Sequence, residues 1–550
     1  MKLWLITFLL FSSSLTLGQV VYEPLHKDIY QYLSRLAQKG IIELNDQVKP
    51  ISRIYIAEKL AELDDKLNYL TYLEREELNF YKIDYDRELR FNSNEKISEE
   101  EVIIAGRDRA GRMRLFSYTD ELFSLNLSPI FGYKIGSRDE AKLTHFWNGI
   151  YTYGYLTDQI GVSFDFRDNN ESGTTIDKFK SFTPVTGTNE ASDIKLAGYR
   201  PNKVEYTEAK TVITGNWKWG SLSIGKEFFE WGYGEGGKIV LSQKAPSFPF
   251  IRLDINPVDW FSFNYIHAWL SSDIIDSSNA YVTTFGTSRL KFRNKYLATH
   301  SLTLKPLKGL TVSLGESVIY SDRLEYIYLI PVMFFKMADH YLSRHNNEIG
   351  SNAQLFGSVS SRNHIPNTHL YGTLFIDEIT LTNIFNPEKQ RNHIGFSLGA
   401  SVVDIPVNNL TLTLEFTRIY PFTYKHYIPT TTYESASYVL GHWMGHNADQ
   451  IFASLEYRFV RGLKVKLWGQ FIRKGEDEDI TNIYVQPQPS FLFGLRKNYS
   501  YFGGTVQYEL LHDLFTKLEF QTTRSSIQQN DQSFVDKTLN EFYFYVYYGL

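Results

Sequence analysis

A repeated hairpin constrains this chain more than any other feature, and it is clearest between Gln450 and Lys474. Ala453, Leu455, Tyr457 and Phe459 alternate with Ser454, Glu456 and Arg458. Arg461-Gly462 makes a tight turn, and Leu463, Val465, Leu467 and Phe471 then alternate with Lys464, Lys466 and Gln470. A period of two puts apolar side chains on one face and polar ones on the other. In a soluble sandwich the apolar face meets a second sheet. In a membrane barrel it meets lipid, and the polar face lines the lumen. Each arm has about ten residues, the length a tilted strand needs to cross a bilayer.

Composition favours the barrel. Aromatics reach 16%, with 38 Tyr and 39 Phe among 550 residues, an excess that interfacial girdles explain. The mean hydropathy of −0.29 is no objection, because half of every barrel strand faces water. After the N-terminal segment there is no run of about 18 apolar residues, so no helical span is expected. A net charge of −5 argues against nucleic acid as a partner. The lack of cysteine rules out disulfides and thiolate metal sites. Met1–Gly18 reads as a secretory signal: Lys2, an apolar core over Leu3–Phe11, then Thr16-Leu17-Gly18 before the cleavage point. Secretion with alternating strands points to the outer membrane of a diderm bacterium.

Residues 19–83 read as a helical bundle. Leu25, Ile29, Tyr32, Leu33 and Leu36 recur at helical spacing, with Gly40 as a stop. Ser52 can cap a second helix carrying Ile56, Leu60, Leu63 and Leu67, and Thr71–Lys82 offers a third. Such short helices must pack on one another or on the barrel, so a plug at its periplasmic end is expected. Residues 84–121, charged and poor in aliphatics, read as a linker, and residues 122–550 as the barrel. Two strands and a loop lie between Gly462 and Asp513, about 25 residues per strand, so the segment holds about 17, and a bacterial barrel should have an even number. Strands are placed near 122–136, 144–156, 158–167, 204–219, 221–228, 246–253, 259–270, 299–304, 310–320, 351–361, 370–383, 393–405, 410–418, 451–460, 463–473, 500–510, 514–524 and 538–550. Short turns then fall on one side and long connections on the other, the outer-membrane rule. The last strand, with Phe542, Phe544, Val546 and Tyr548 in step, looks like the terminal insertion signal of such proteins, although it ends in Leu550 rather than an aromatic.

The middle of the chain carries Gly225-Lys226-Glu227-Phe228-Phe229-Glu230-Trp231-Gly232-Tyr233-Gly234, then Gly236-Gly237-Lys238-Ile239-Val240-Leu241-Ser242 and Ala245-Pro246-Ser247-Phe248-Pro249. This block resembles a pattern of the capsule assembly protein Wzi family, as do Leu324–Met333 and Gly441–Asp449 with less specificity. The resemblance implies an eighteen-stranded barrel, a helical plug and external loops that occlude the mouth. It also implies a non-catalytic role in which capsular or exopolysaccharide is bound and assembled at the surface. Surface polysaccharide, outer-membrane lipid and the barrel assembly machinery are then the expected partners, with the chain a monomer and no cofactor.

The candidate carbohydrate residues are Glu227, Glu230, Trp231, Tyr233, Glu235, Arg252 and Trp443. Trp231 and Tyr233 could stack on sugar rings while the carboxylates and Arg252 bond hydroxyls; alternatively the glycines shape a loop and the charges neutralise one another in the lumen. Glu227 and Glu230 could suggest a glycosidase pair, but without a surrounding signature no catalytic residue is assigned. His442 and His446 with Asp449, or His340 and His345 with Glu348, could ligate a metal, yet Gly441 and Gly445 argue against a helix that would align the first pair, and no metal site is assigned. Tyr420, Tyr424, Tyr427, Tyr433, Tyr438 and Trp443 crowd one external loop and Tyr326, Tyr328 and Tyr341 another; they suit either carbohydrate faces or an interfacial girdle. Leu329–Phe335 could form a short lid or helix. Two other functions compete: an oligosaccharide porin, which needs an open lumen, and an outer-membrane enzyme acting on glycan or lipid.

Overall fold

The computed structural model describes residues 20–93, 95, 99–157, 159–188, 202–345, 350–379, 381–386, 388–477 and 479–549. The signal expected at Met1–Gly18 and the terminal Leu550 lie outside them. Eighteen antiparallel strands close into one barrel. They are β1 Phe123–Arg138, β2 Ala141–Leu156, β3 Ile160–Gly173, β4 Lys203–Trp217, β5 Gly220–Glu227 and β6 Phe248–Val258. Then come β7 Phe261–Ile275, β8 Phe292–Leu307, β9 Leu310–Ser321, β10 Asn352–Arg362, β11 Thr368–Glu378 and β12 His393–Val403. The last are β13 Leu410–Ile419, β14 Ala448–Val460, β15 Leu463–Lys474, β16 Lys497–Leu511, β17 Leu514–Gln528 and β18 Phe534–Tyr548. Each pairs with its successor, and β18 closes the ring on β1, from Tyr548 opposite Phe131 to Glu541 opposite Arg138. Every strand placed from the sequence has its counterpart, and most run longer toward the long-connection side.

In the founding hairpin Leu455 stands opposite Leu467 and Tyr457 opposite Val465. Leu455 and Leu467 are 38% and 44% exposed on the outside. Among the described residues no second sheet covers them, so they form the outside of a closed wall and not the core of a sandwich. Ser454, Glu456, Arg458, Lys464 and Lys466 alternate with them and face the lumen. The rule of short turns on one side holds, but the long-connection side also carries two short hairpins. Residues 529–533 form one, where a longer loop was expected. Asp139-Glu140 forms the other, with both φ angles positive (53° and 65°), the geometry that matches a two-residue turn to strand twist.

The N-terminal domain sits in the short-turn mouth. It carries α1 Ile29–Gln38, α2 Arg53–Asp64, α3 Tyr72–Asp84 and α4 Asp86–Asn92. Ser52 caps α2 by accepting from the Tyr55 N–H at 3.3 Å, and Thr71 with Glu74 forms a capping box on α3. Leu33, Leu36, Ile56, Leu60, Leu63 and Leu78 form its core, whereas Leu67 falls in a short 3-10 turn and is exposed. The domain is tied to the wall by polar contacts. Arg362 donates to both Asp46 oxygens at 2.9 and 2.8 Å, Lys464 to Asp28 at 2.7 Å, and Gln38 to the Asn367 carbonyl at 3.1 Å. Further ion pairs join Lys27 to Asp513, Arg35 to Asp404 and Arg458 to Glu77. Phe80 stacks on His512 at 3.5 Å.

Residues 84–121 are not a linker. After α4 they form a hairpin of Ile103–Arg107 and Met113–Thr119. Its second arm pairs with the start of β1, Phe116 opposite Leu127 and Thr119 opposite Ser124, along the part of β1 that β18 does not reach. The charges that suggested a solvated tether are paired: Arg112 and Arg114 each lie 2.8 Å from Asp108.

Candidate functional site

The connection between β5 and β6, residues 228–247, turns into the lumen. Phe229, Trp231, Ile239, Val240 and Leu241 pack there on Ile266 and Ala268 of β7, Leu297 of β8, Ile319 of β9 and Phe356 of β10. Trp231 is 0% exposed and meets Phe356 edge-on at 5.7 Å. Its N–H donates to the Leu241 carbonyl at 2.9 Å. Glu230 and Trp231 also pair with Lys49 and Val48 of the N-terminal domain, and the Gly232 N–H donates to the Gln47 carbonyl at 2.9 Å. The outer loop and the domain in the opposite mouth are thus hydrogen-bonded to each other inside the barrel. The glycines permit this path. Gly234 has φ +128°, and a Cβ on Gly237 would stand 2.4 Å from Nε2 of His442.

The connection between β13 and β14, residues 420–447, lies over this loop and bonds its backbone. Tyr424 Oη donates to the Ile239 carbonyl at 2.5 Å, Tyr433 Oη to Val240 at 2.9 Å and Trp443 Nε1 to Gly236 at 2.8 Å. Tyr438 Oη donates to the Phe179 carbonyl at 2.7 Å, bringing in a third connection. Buried Lys244 reaches the same segment, donating to the Val185 carbonyl at 2.9 Å; burial lowers its ammonium to about 8.

The residues of the expected saccharide platform lie mostly inside the mouth. Trp231, Tyr233 and Trp443 are buried, so their faces are spent on packing. Tyr233 lies 5.3 Å from His369 and 5.9 Å from Tyr371. Burial pushes the Tyr233 phenol up. Arg252 is also buried; it donates to Asp254 at 3.0 Å and to the Pro50 carbonyl at 3.0 Å, and lies 4.4 Å over Tyr22. Glu227 stands 3.5 Å from Lys210, and Glu235 accepts from Ser454 at 3.0 Å and pairs with Lys466. Glu230 accepts from Gln243 at 2.7 Å. Burial alone would raise its carboxyl, but Lys238 and Lys49 outweigh that and hold it below the usual range. These carboxylates thus find their partners within the lumen.

The loop histidines are engaged as well. His442 is fully buried, and burial lowers it to about 3, which keeps it neutral. His446 accepts from the Phe422 N–H at 3.3 Å and lies 3.0 Å from Asp477. Asp449 is held by Arg418 at 2.9 Å and Arg473 at 2.6 Å. Among the described residues no group of three metal-ligating side chains forms. Glu348 of the second candidate set lies outside them.

What the outer surface does present is a small aromatic and basic cluster. Tyr427 and Tyr484 meet edge-on at 5.6 Å, Arg391 lies 5.3 Å over Tyr484, and Glu378 stands 3.1 Å from Arg391. Both rings are exposed. Partial burial pushes the Tyr484 phenol up to about 12, so it remains a donor. Tyr427 was legible in the sequence as one of a crowd; Tyr484 and Arg391 carry no local signal, because three connections must converge to bring them together.

A family described as capsule assembly protein Wzi matches residues 209–538, more than half of the chain. The chain belongs to that family. Its barrel, with an apolar exterior and a plugged lumen, is accordingly an outer-membrane barrel of the Wzi kind. A solved structure of Wzi from Escherichia coli covers 97% of this chain and 100% of its own, at 11% identity and a TM-score of 0.56. It is described as an outer-membrane protein involved in group 1 capsule assembly and a carbohydrate-binding β-barrel. OprD of Pseudomonas aeruginosa covers 78% of this chain and 95% of its own, at 13% identity and a TM-score of 0.40. No curated protein matches the sequence significantly.

Proposed function

We propose that this protein binds capsular or exopolysaccharide at the cell surface and helps attach or assemble it there. The observation that carries this reading is the closure of the lumen from both ends. The N-terminal domain fills one mouth, residues 228–247 and 420–447 fill the other, and the two are joined at Val48-Lys49 and Glu230-Trp231. A barrel closed in this way does not pass solutes as a porin does, and its accessible chemistry is on the outer loops. There the Tyr427, Tyr484, Arg391 and Glu378 cluster offers what a sugar needs: aromatic faces for its apolar side and charged groups for its hydroxyls. The carbohydrate-binding description of Escherichia coli Wzi agrees with this role.

The role is binding without turnover, with Glu227 and Glu230 held in the lumen's own charge network. Met1–Gly18 would direct secretion and residues 19–83 would face the periplasm. The barrel assembly machinery would insert residues 122–550 among outer-membrane lipid as a monomer. A glycan array probed with the detergent-purified full chain tests the proposal. Binding to a subset of polysaccharides that falls when Tyr484 is replaced supports it. No binding to any polymer, with a deletion strain that sheds no extra polysaccharide, refutes it.

A further inference from the structure

We infer that residues 322–345, in the connection between β9 and β10, form a lipid-facing part of the barrel wall, and that the helix within them, α5 Phe335–His345, meets the acyl chains of the outer leaflet. The wall beneath this segment is unusual. On β7, β8 and β9 the residues that alternate with lumen-facing Ile266, Leu297 and Ile319 point outward. Elsewhere that face presents exposed apolar side chains, such as Leu455, Leu467, Phe520 and Phe544. Here it carries Tyr265 opposite His300, His300 opposite Glu316, and Tyr296 opposite Tyr320. A carboxylate on a lipid-facing row is costly, so it needs a cover.

The segment supplies that cover. Glu316 is buried on the outer face and accepts from the Phe335 N–H at 2.7 Å and the Lys336 N–H at 3.4 Å, with His300 Nε2 3.3 Å away. It thus caps the N-terminus of α5, where free backbone donors favour an anion. Tyr265 Oη donates to the Tyr328 carbonyl at 2.8 Å. Between these anchors the wall is lined with small side chains, Ala298, Val318 and Ala353, and Ala338 and Leu342 pack on them. The Phe335 ring lies 4.5 Å from His300.

The sequence of α5 fits three neighbours rather than two. Phe335, Ala338 and Leu342 face the wall. Phe334, Met337 and Tyr341, at i, i+3 and i+7, form a second face that is exposed and apolar; Met337 is 61% exposed. Lys336, His340 and Arg344 occupy the remaining arc. Tyr326, Ile330 and Val332, just before the helix, are exposed as well. One occupant accounts for this second face. Leu302 and Leu314, opposite each other in the outward row just below His300 and Glu316, are exposed members of the lipid belt, as is Leu355, opposite Glu316. The apolar face of α5 continues that belt outward from where the bare wall ends, leaving its charged arc for the headgroup level.

The absence of cysteine makes the test direct. Full-length Met337→Cys and Tyr341→Cys variants are spin-labelled in liposomes, with Leu314→Cys as the belt reference. Phe285→Cys, on an outer loop and 96% exposed, is the aqueous reference. Collision rates with oxygen and with a water-soluble nickel chelate are compared. The proposal expects both α5 labels to behave like Leu314, with chelate collisions about tenfold below those at Phe285, because the hydrocarbon excludes the chelate. Labels that collide with the chelate as Phe285 does would overturn it. A Val332→Cys label serves as a third position should either helix variant insert poorly.

Discussion

Replacing Trp231 with alanine should loosen the contact between residues 228–247 and the N-terminal domain while leaving the barrel standing. The side chain is fully buried and its ring lies against Phe356 across the lumen. Large-to-small changes at such sites cost about 3–5 kcal/mol, because the cavity adds to the lost transfer energy. The cost falls on the contact between residues 228–247 and the N-terminal domain, since the ladder hydrogen bonds of the wall do not pass through Trp231. At about 1.4 kcal/mol per power of ten, the open fraction of that contact should rise by roughly a hundredfold or more. Hydrogen exchange reads this opening at the Gly232 amide, which donates across the contact to the Gln47 carbonyl. It should exchange faster by about that factor, while β14 and β15 stay protected. Exchange at Gly232 within about threefold of the parent rate would refute the reasoning, because a difference that small is far below the cavity cost.

Other outcomes follow from the same contacts. Arg53 bonds Glu23 and Glu88 at 2.6 Å each and lies 4.8 Å over Tyr153 of β2, so Arg53→Ala strands two buried carboxylates. It should cost about 3–5 kcal/mol of domain docking, seen as protease cleavage within residues 53–92 that the parent resists. Asp46 is raised by burial, but Arg362 beside it prevails and holds it at about 2. Its contribution, roughly 2 kcal/mol, is present above the unfolded pKa near 4 and is lost as pH falls toward 2. The domain should therefore loosen across that window, and Asp46→Asn should remove that part of the pH dependence. His442, lowered to about 3, works in the same direction at higher pH. The unfolded loop binds its proton first, so closure of residues 420–447 should weaken as pH falls from about 6.5 toward 3, measured as lost exchange protection at the Ser242 amide, which donates to the Leu440 carbonyl at 2.7 Å. Tyr484→Ala should weaken polysaccharide binding about tenfold with no change in melting, as one lost stacking face would.

The barrel was legible because its signal is local and repeated. Leu455, Leu467 and Leu412 alternate with polar neighbours, and a strand that crosses a bilayer has little freedom in length or period. The helical domain was legible through Ser52 and the spacing of Ile56, Leu60 and Leu63. Residues 84–121 misled because Arg112 and Arg114 look solvated in sequence, whereas Asp108 neutralises them in place. The interior of the mouth could not be read for a related reason. Trp231 and Trp443 are the same residues whether they face a sugar or a core. What decides is Phe356, more than a hundred positions from Trp231, and Gly236, more than two hundred from Trp443. Tyr484 and Arg391 went unnoticed because their pairing depends on the relative placement of separate connections, which no periodicity encodes. The helix in the β9–β10 connection was not legible: the apolar run Leu329–Phe335 ends where the helix Phe335–His345 begins, and its seat on the outer wall rests on Ala298, Val318 and Ala353, which no local pattern marks out.

A barrel sealed from both ends passes no ions, and conductance through the purified full chain in a planar bilayer tests that most directly. A silent bilayer, in which steady conductance appears only after residues 20–93 and 228–247 have both been removed, is the result this structure predicts. Stable conductance steps from the intact chain would contradict it, since they would require a continuous aqueous path past Trp231 and Val48.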